Sequence, residues 1–177
     1  MQPRMRAQID GRGSNARGWK YRSAVYGALG SVEIDDQIEA IRQVMKKYPF
    51  LDDRRLFVFG WSYGGFAAAL MAERAPEAFF KCTVSVAPVA NFLYYDATYT
   101  ERYMGEAGNV AYDASDITID VSNFKKTRLL LVHGIIVRWV TAKRYPSQLP
   151  PHGRISLLAA GHGPAPPRRG PLEAPPT

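Results

Sequence analysis

A chain of 177 residues has room for one domain and no more. Its formal net charge of +7 is unevenly spread: residues 135–177 hold 6 Lys and Arg against 1 acidic residue, while residues 1–134 hold 17 against 15. The basic surplus is thus mainly a property of the C-terminal stretch, with no recognised nucleic-acid-binding module beside it, and no nucleic-acid partner is expected. The single cysteine, Cys82, excludes an internal disulfide and a cysteine-built metal cluster.

No run of about 18 apolar residues is present, so no membrane-spanning helix is expected, and the first residues lack the apolar centre of a signal peptide. In chain order, residues 1–9 are polar, and Asp10-Gly11-Arg12-Gly13-Ser14 reads as a turn. Residues 15–30 mix aromatic and basic side chains with Gly18, Gly27 and Gly30, as a surface loop near a site does. Arg12 reads as solvated, with pairing to a carboxylate as the alternative. Residues 31–48 form the clearest helix. Ser31 is placed to cap it, Glu33 and Asp35 favour its positive end, and Lys46 and Lys47 its negative end. Ile34, Ile38, Ile41 and Met45 make one apolar face, and Pro49 ends the run. Glu33, Asp35, Asp36 and Glu39 are read as a solvated face, since no histidine is interleaved to make a metal site.

Residues 56–59 are branched or aromatic and read as a buried strand; residues 66–75, rich in Ala, Leu and Met, read as a helix. Between them stands Gly60-Trp61-Ser62-Tyr63-Gly64, a G-x-S-x-G motif in the strand-turn-helix setting of a nucleophile elbow. Such a turn brings backbones close, so side chains at Gly60 or Gly64 are expected to collide. It leaves the Ser62 hydroxyl exposed and aims the Tyr63 N–H, at the helix start, towards a developing oxyanion. Residues 81–87 and 128–132 supply two more strands. The alternation with helices predicts an α/β fold with a parallel sheet covered by helices.

Residues 91–103 hold Phe92, Tyr94, Tyr95, Tyr99 and Tyr103 just after a strand end, where α/β proteins place ligands. They read equally as a ligand wall with hydroxyl donors or as a helix with packed aromatic anchors. Residues 105–123 look like a connecting loop with short helical turns. His133, at the end of the third strand, reads either as a catalytic base or as a structural residue. After Gly134 the composition changes: residues 135–177 hold nine of the 13 prolines and only residues 155–159 resemble a strand. The last part of this tail is expected to be disordered.

Asp10-Gly11-Arg12-Gly13-Ser14, Asp36-Gln37-Ile38-Glu39-Ala40, Gly60-Trp61-Ser62-Tyr63-Gly64-Gly65 and the stretch from Tyr94-Tyr95-Asp96 to Tyr103-Met104-Gly105 occur in that order. Together they resemble the catalytic domain of the prolyl oligopeptidase family of serine peptidases, in its dipeptidyl peptidase branch. The resemblance runs over residues 10–134. It implies a partial α/β-hydrolase domain over residues 1–134, followed by a divergent Pro-, Gly- and Arg-rich tail over 135–177.

The resemblance also implies roles. Ser62 matches the nucleophile, and Tyr63 matches the donor of an oxyanion N–H. Tyr63, Val89, Phe92, Tyr95 and Tyr99 match the pocket for a small P1 side chain, typically proline. Phe92 stands where a member of that branch has tryptophan, and Tyr95 also matches a contact to the substrate's free amino terminus. Cys82 matches a cysteine normally bonded to one near the family's C-terminus; that partner has no match here, so a free thiol is expected.

His133 matches a residue near the triad rather than its base. The triad aspartate falls at Val137 and a nearby asparagine at Trp139, so neither is matched. His162, in His162-Gly163, is the one dipeptide comparable to the string that holds the base. The tyrosine that completes the oxyanion hole precedes Asp10 in the family and has no match. The implied activity is hydrolysis of a peptide after a small or proline P1 residue near a free N-terminus, with no cofactor or metal. The alternative is an inactive hydrolase-like chain that binds or pairs, as a homodimer or with a full-length relative. Family members are often membrane-anchored or secreted, and the compartment of this chain stays open.

Overall fold

The computed structural model of the protein describes residues 7–134 and the strand Ser156–Ala160. The elements follow as α1 (Trp19–Arg22), α2 (Val32–Lys47), β1 (Phe57–Trp61), α3 (Tyr63–Arg74), β2 (Cys82–Val86), α4 (Ala97–Met104), α5 (Asn109–Ala114), β3 (Arg128–His133) and β4 (Ser156–Ala160). The sheet order is β1-β2-β3-β4. β1 and β2 are parallel with Phe59 opposite Val84; β2 and β3 are parallel with Val84 opposite Leu130. β4 closes the far edge antiparallel to β3, on the one run of the tail that reads as a strand. Parallel neighbours need a crossover, and α3 supplies it between β1 and β2.

The apolar spacing of α2 does what it predicts: Ile34 and Ile38 are buried, and Ile41 packs against the core. The helix stops at Lys47, before Pro49, whose ring disfavours helical backbone in the residue ahead of it. Helix α3 carries small and apolar residues all round, and Phe66, Ala68, Ala69, Leu70 and Met71 are all buried. A helix apolar on every side belongs inside. It lies on β1 and β2 and is backed by α2. Phe66 and Phe92 are both fully buried and meet edge to face with ring centroids 5.1 Å apart. Burying each such ring contributes roughly 1.5–3 kcal/mol.

Two expectations are corrected here. Strand β1 is not buried on both faces. Phe57, Phe59 and Trp61 are 65%, 63% and 68% exposed. Side chains alternate along a strand, so Val58 and Gly60 turn to α3 while the three aromatics turn to the opposite face, left open among the described residues. The loop over residues 15–30 is also more than surface: Val25 and Leu29 reach into the core beside Ile34 and Phe66.

Candidate active site

Ser62 occupies the turn between β1 and α3 with φ 56° and ψ −119°, a left-handed backbone that non-glycine residues rarely adopt. Three contacts hold the turn. The Ser62 N–H donates to the Val86 carbonyl at 2.9 Å, which ties the elbow to the end of β2. The buried Ser85 hydroxyl donates to the Gly65 carbonyl at 2.9 Å. The Phe66 N–H donates to the Ser62 carbonyl at 3.0 Å and closes the first helical turn. The Ser62 side chain caps nothing and is exposed.

The glycines divide differently from the expectation. A Cβ on Gly60 would meet the Gly64 carbonyl oxygen at 1.8 Å, and one on Gly65 would meet the Val86 carbonyl oxygen at 2.7 Å. At Gly64 nothing lies within 4 Å of the position. Backbone contact thus requires glycine at 60 and 65, while Gly64 faces open space because the helix turns away there.

Tyr63 is the first residue of α3. N–H groups in a helix's first turn have no carbonyl partner within the helix, and the helix dipole adds positive potential there. An exposed hydroxyl next to such a donor is suited to attack a carbonyl carbon while the donor meets the oxygen that gains charge.

The Tyr63 ring lies 5.3 Å from Phe66 and 6.3 Å from Phe92, centroid to centroid. Phe92 in turn meets Tyr95 edge-on at 6.2 Å and stacks on Tyr99 at 6.2 Å, with 11° between the planes. Tyr63, Phe92, Tyr95 and Tyr99 therefore form one aromatic cluster. Local hydrogen bonds explain its shape. Asn91 accepts from the Leu93 N–H at 2.7 Å, opening the Phe92–Tyr94 turn, and Asp96 accepts from the Tyr99 N–H at 2.9 Å, capping α4. The Thr100 hydroxyl donates to the Phe92 carbonyl at 3.1 Å and joins the two. Phe92 and Val89 are buried core, while Tyr95 and Tyr99 are half-buried. Burial pushes the Tyr99 phenol up to about 12.

A cleft of about 1580 Å³ opens beside the elbow, with Tyr63, Gly64, Tyr99 and Tyr103 on its wall. Val89, Phe92 and Tyr95 stand outside its lining. Across it, the Arg12 guanidinium grips Asp36 through Nε at 2.9 Å and Nη2 at 2.6 Å. That hydrogen-bonded pairing holds the Asp36 carboxyl below the usual carboxylate range. Asp36 and Arg12 are thus paired rather than solvated.

Glu33 departs furthest from the expected solvated face. It is 8% exposed. Its carboxylate accepts from the Gly30 N–H, from the Ser31 N–H at 3.0 Å and from the Tyr63 hydroxyl at 2.7 Å. Ser31 stands at the N-cap position but does not cap; its hydroxyl turns back to the Ala28 carbonyl. A carboxylate in the first helical turn, three residues after a glycine with φ 78°, was the available signal. Free backbone donors gather at such a corner.

His133 ends β3 half-buried, its Nε2 buried and without a hydrogen-bond partner among the described residues. Burial lowers its pKa. Cys82 is a half-buried free thiol. His162, Val137 and Trp139 lie outside the described residues.

A parallel sheet with a serine on a strained strand-to-helix turn defines a hydrolase of the α/β type, and the described elements form part of that fold. The model of the Prolyl oligopeptidase family matches residues 5–136, and the chain belongs to that family. It is 64% identical over 130 residues to Dipeptidyl peptidase family member 1 of Caenorhabditis elegans, covering 73% of this chain and 16% of the relative. It is 44% identical over 132 residues to Dipeptidyl peptidase 4 of Bos taurus, covering 72% and 17%. The crystal structure of Porphyromonas gingivalis dipeptidyl peptidase 4 superposes with a TM-score of 0.60 at 36% identity, over 69% of this chain and 17% of that one. The chain therefore spans about one sixth of the length of the relatives it matches.

Proposed function

We propose that this chain carries the nucleophile and the P1 pocket of a serine peptidase of the dipeptidyl peptidase type, acting after a small or proline P1 residue near a free amino terminus. The exposed Ser62 hydroxyl on a left-handed turn, directly before the first turn of α3, is the observation that carries the reading. In this reading Ser62 Oγ attacks the scissile carbonyl and the Tyr63 N–H holds the oxyanion. His162 takes the hydroxyl proton and passes it to the leaving amine, and water then releases the acyl group. Tyr63, Val89, Phe92, Tyr95 and Tyr99 surround the P1 ring, with the buried Val89 and Phe92 behind the tyrosines. Residues 1–134 carry the peptidase part, and the Pro-, Gly- and Arg-rich stretch 135–177 adds β4 to its sheet.

A fluorophosphonate probe tests the nucleophile. Labelling of the full chain that is lost in Ser62→Ala supports the reading; a folded chain that takes no label at Ser62 sinks it. The second reading is a non-catalytic chain that pairs with a complete relative, and the open aromatic row Phe57, Phe59 and Trp61 favours it. Co-purification with a full-length relative, lost in Phe59→Ser, would support pairing, and a chain that stays monomeric beside that relative would exclude it.

A further inference from the structure

The carboxylate of Glu33 joins two parts of the molecule that are distant in sequence. One is the backbone corner at Gly30 and Ser31, from which it accepts two N–H bonds; the other is the hydroxyl of Tyr63, the residue after Ser62. We propose that Glu33 is a positioning residue for the P1 pocket, anchoring the Tyr63 ring in the pose that makes one wall of the aromatic cluster. The inference rests on the pocket reading above and adds to it the group that sets the pocket's shape.

Several features support this. Tyr63 has one polar atom, and that atom is spent on Glu33, so the ring is held at its far end as well as at its Cα. Among the described residues the ring packs on the faces of Phe66 and Phe92, which fix its depth but not its rotation. Directional hydrogen bonds to an ionised acceptor are the stronger kind and supply that orientation. Glu33 is itself over-determined: it is 8% exposed, and its two backbone donors come from residues whose place is set by the turn at Gly30. Burial first, and the neighbouring carboxylate second, push the Tyr63 phenol up. The hydroxyl therefore remains a donor throughout the working range of pH.

The test reads binding rather than turnover. The ligand is an unreactive aminoacyl-pyrrolidide, whose five-membered ring stands in for a P1 proline, titrated calorimetrically into the full chain. The variants are Tyr63→Phe, Glu33→Gln and the double substitution. Tyr63→Phe keeps the ring and leaves both backbone bonds to Glu33 in place, so it removes only the tether. Each single variant is expected to weaken binding about tenfold, and the double variant no more than the weaker single, because both act through one bond.

Unchanged pyrrolidide affinity in Tyr63→Phe overturns the proposal, as does a double variant whose loss is the product of the two single losses. A parent chain that binds no pyrrolidide overturns the pocket reading and this inference with it. Pyrrolidide binding without fluorophosphonate labelling removes only the catalytic reading. Should Glu33→Gln fail to fold, Tyr63→Phe alone decides the matter.

Discussion

Gly60 lies so close beneath the Gly64 carbonyl that a single methyl group on Gly60 would stand 1.8 Å from its oxygen and 2.1 Å from its carbon. Both are backbone atoms at the first turn of α3, so no side-chain motion relieves the overlap. Gly60→Ala is expected to destabilise the chain by at least about 3 kcal/mol, the upper end for overpacking. Gly64→Ala, with open space at its Cβ, is expected to be neutral or to stabilise by about 0.5–1 kcal/mol, because alanine loses less backbone freedom in a helix. Urea unfolding of the two variants side by side checks the contrast. Equal losses would show that the elbow packs in some other way.

The elbow also depends on Ser85. Its buried hydroxyl is the side-chain link between β2 and the carbonyl of Gly65. Ser85→Ala takes this donor from the carbonyl of a buried residue. The expected cost is about 1–3 kcal/mol, read as a lower urea midpoint at unchanged m-value. A change under about 0.5 kcal/mol would mean the carbonyl finds another donor.

Phe92 has no exposed surface and touches Phe66, Tyr63, Tyr95 and Tyr99. Phe92→Ala is expected to cost about 3–5 kcal/mol of stability and to weaken pyrrolidide binding, since the two tyrosines lose their backing. Differential scanning calorimetry gives the first and titration the second. Full stability with lost binding would place Phe92 at the surface of the pocket rather than behind it.

His133 gives the chain a dependence on pH. Its folded pKa is depressed by burial, below the value of about 6.5 in an unfolded chain. The stabilisation is therefore complete above about pH 6.5 and is lost as pH falls through the lower folded value, because the unfolded chain takes up the proton first. Melting temperatures measured from pH 7.5 to 5 should fall for the parent and fall less steeply for His133→Asn. Parallel curves would remove His133 from the account.

The parts legible in the sequence were those set by local pattern. Ile34 and Ile38 recur at helical spacing and are buried; Gly60, Ser62 and Tyr63 sit between an apolar run and an Ala-rich run and form the turn. Contacts between distant segments left little local trace. Glu33 reads as a surface acid because its helical neighbours Asp35 and Glu39 are exposed, yet its partners come from the preceding loop and from α3. Phe57 and Phe59 read as buried because they are aromatic in a strand, but burial depends on what covers a face, which residues 56–59 do not encode. Arg12 and Asp36 are separated by 24 positions, and only the fold brings them together.

The backbone of Ser62 is held at a cost in stability. A residue with a Cβ held at φ 56° and ψ −119° costs on the order of 1–3 kcal/mol that glycine would not. Random substitution filtered only for folding would therefore drift towards glycine at this position, and Ser62→Gly is the change that drift would favour first. Serine here thus gives up stability for an exposed hydroxyl that makes no helix-cap bond.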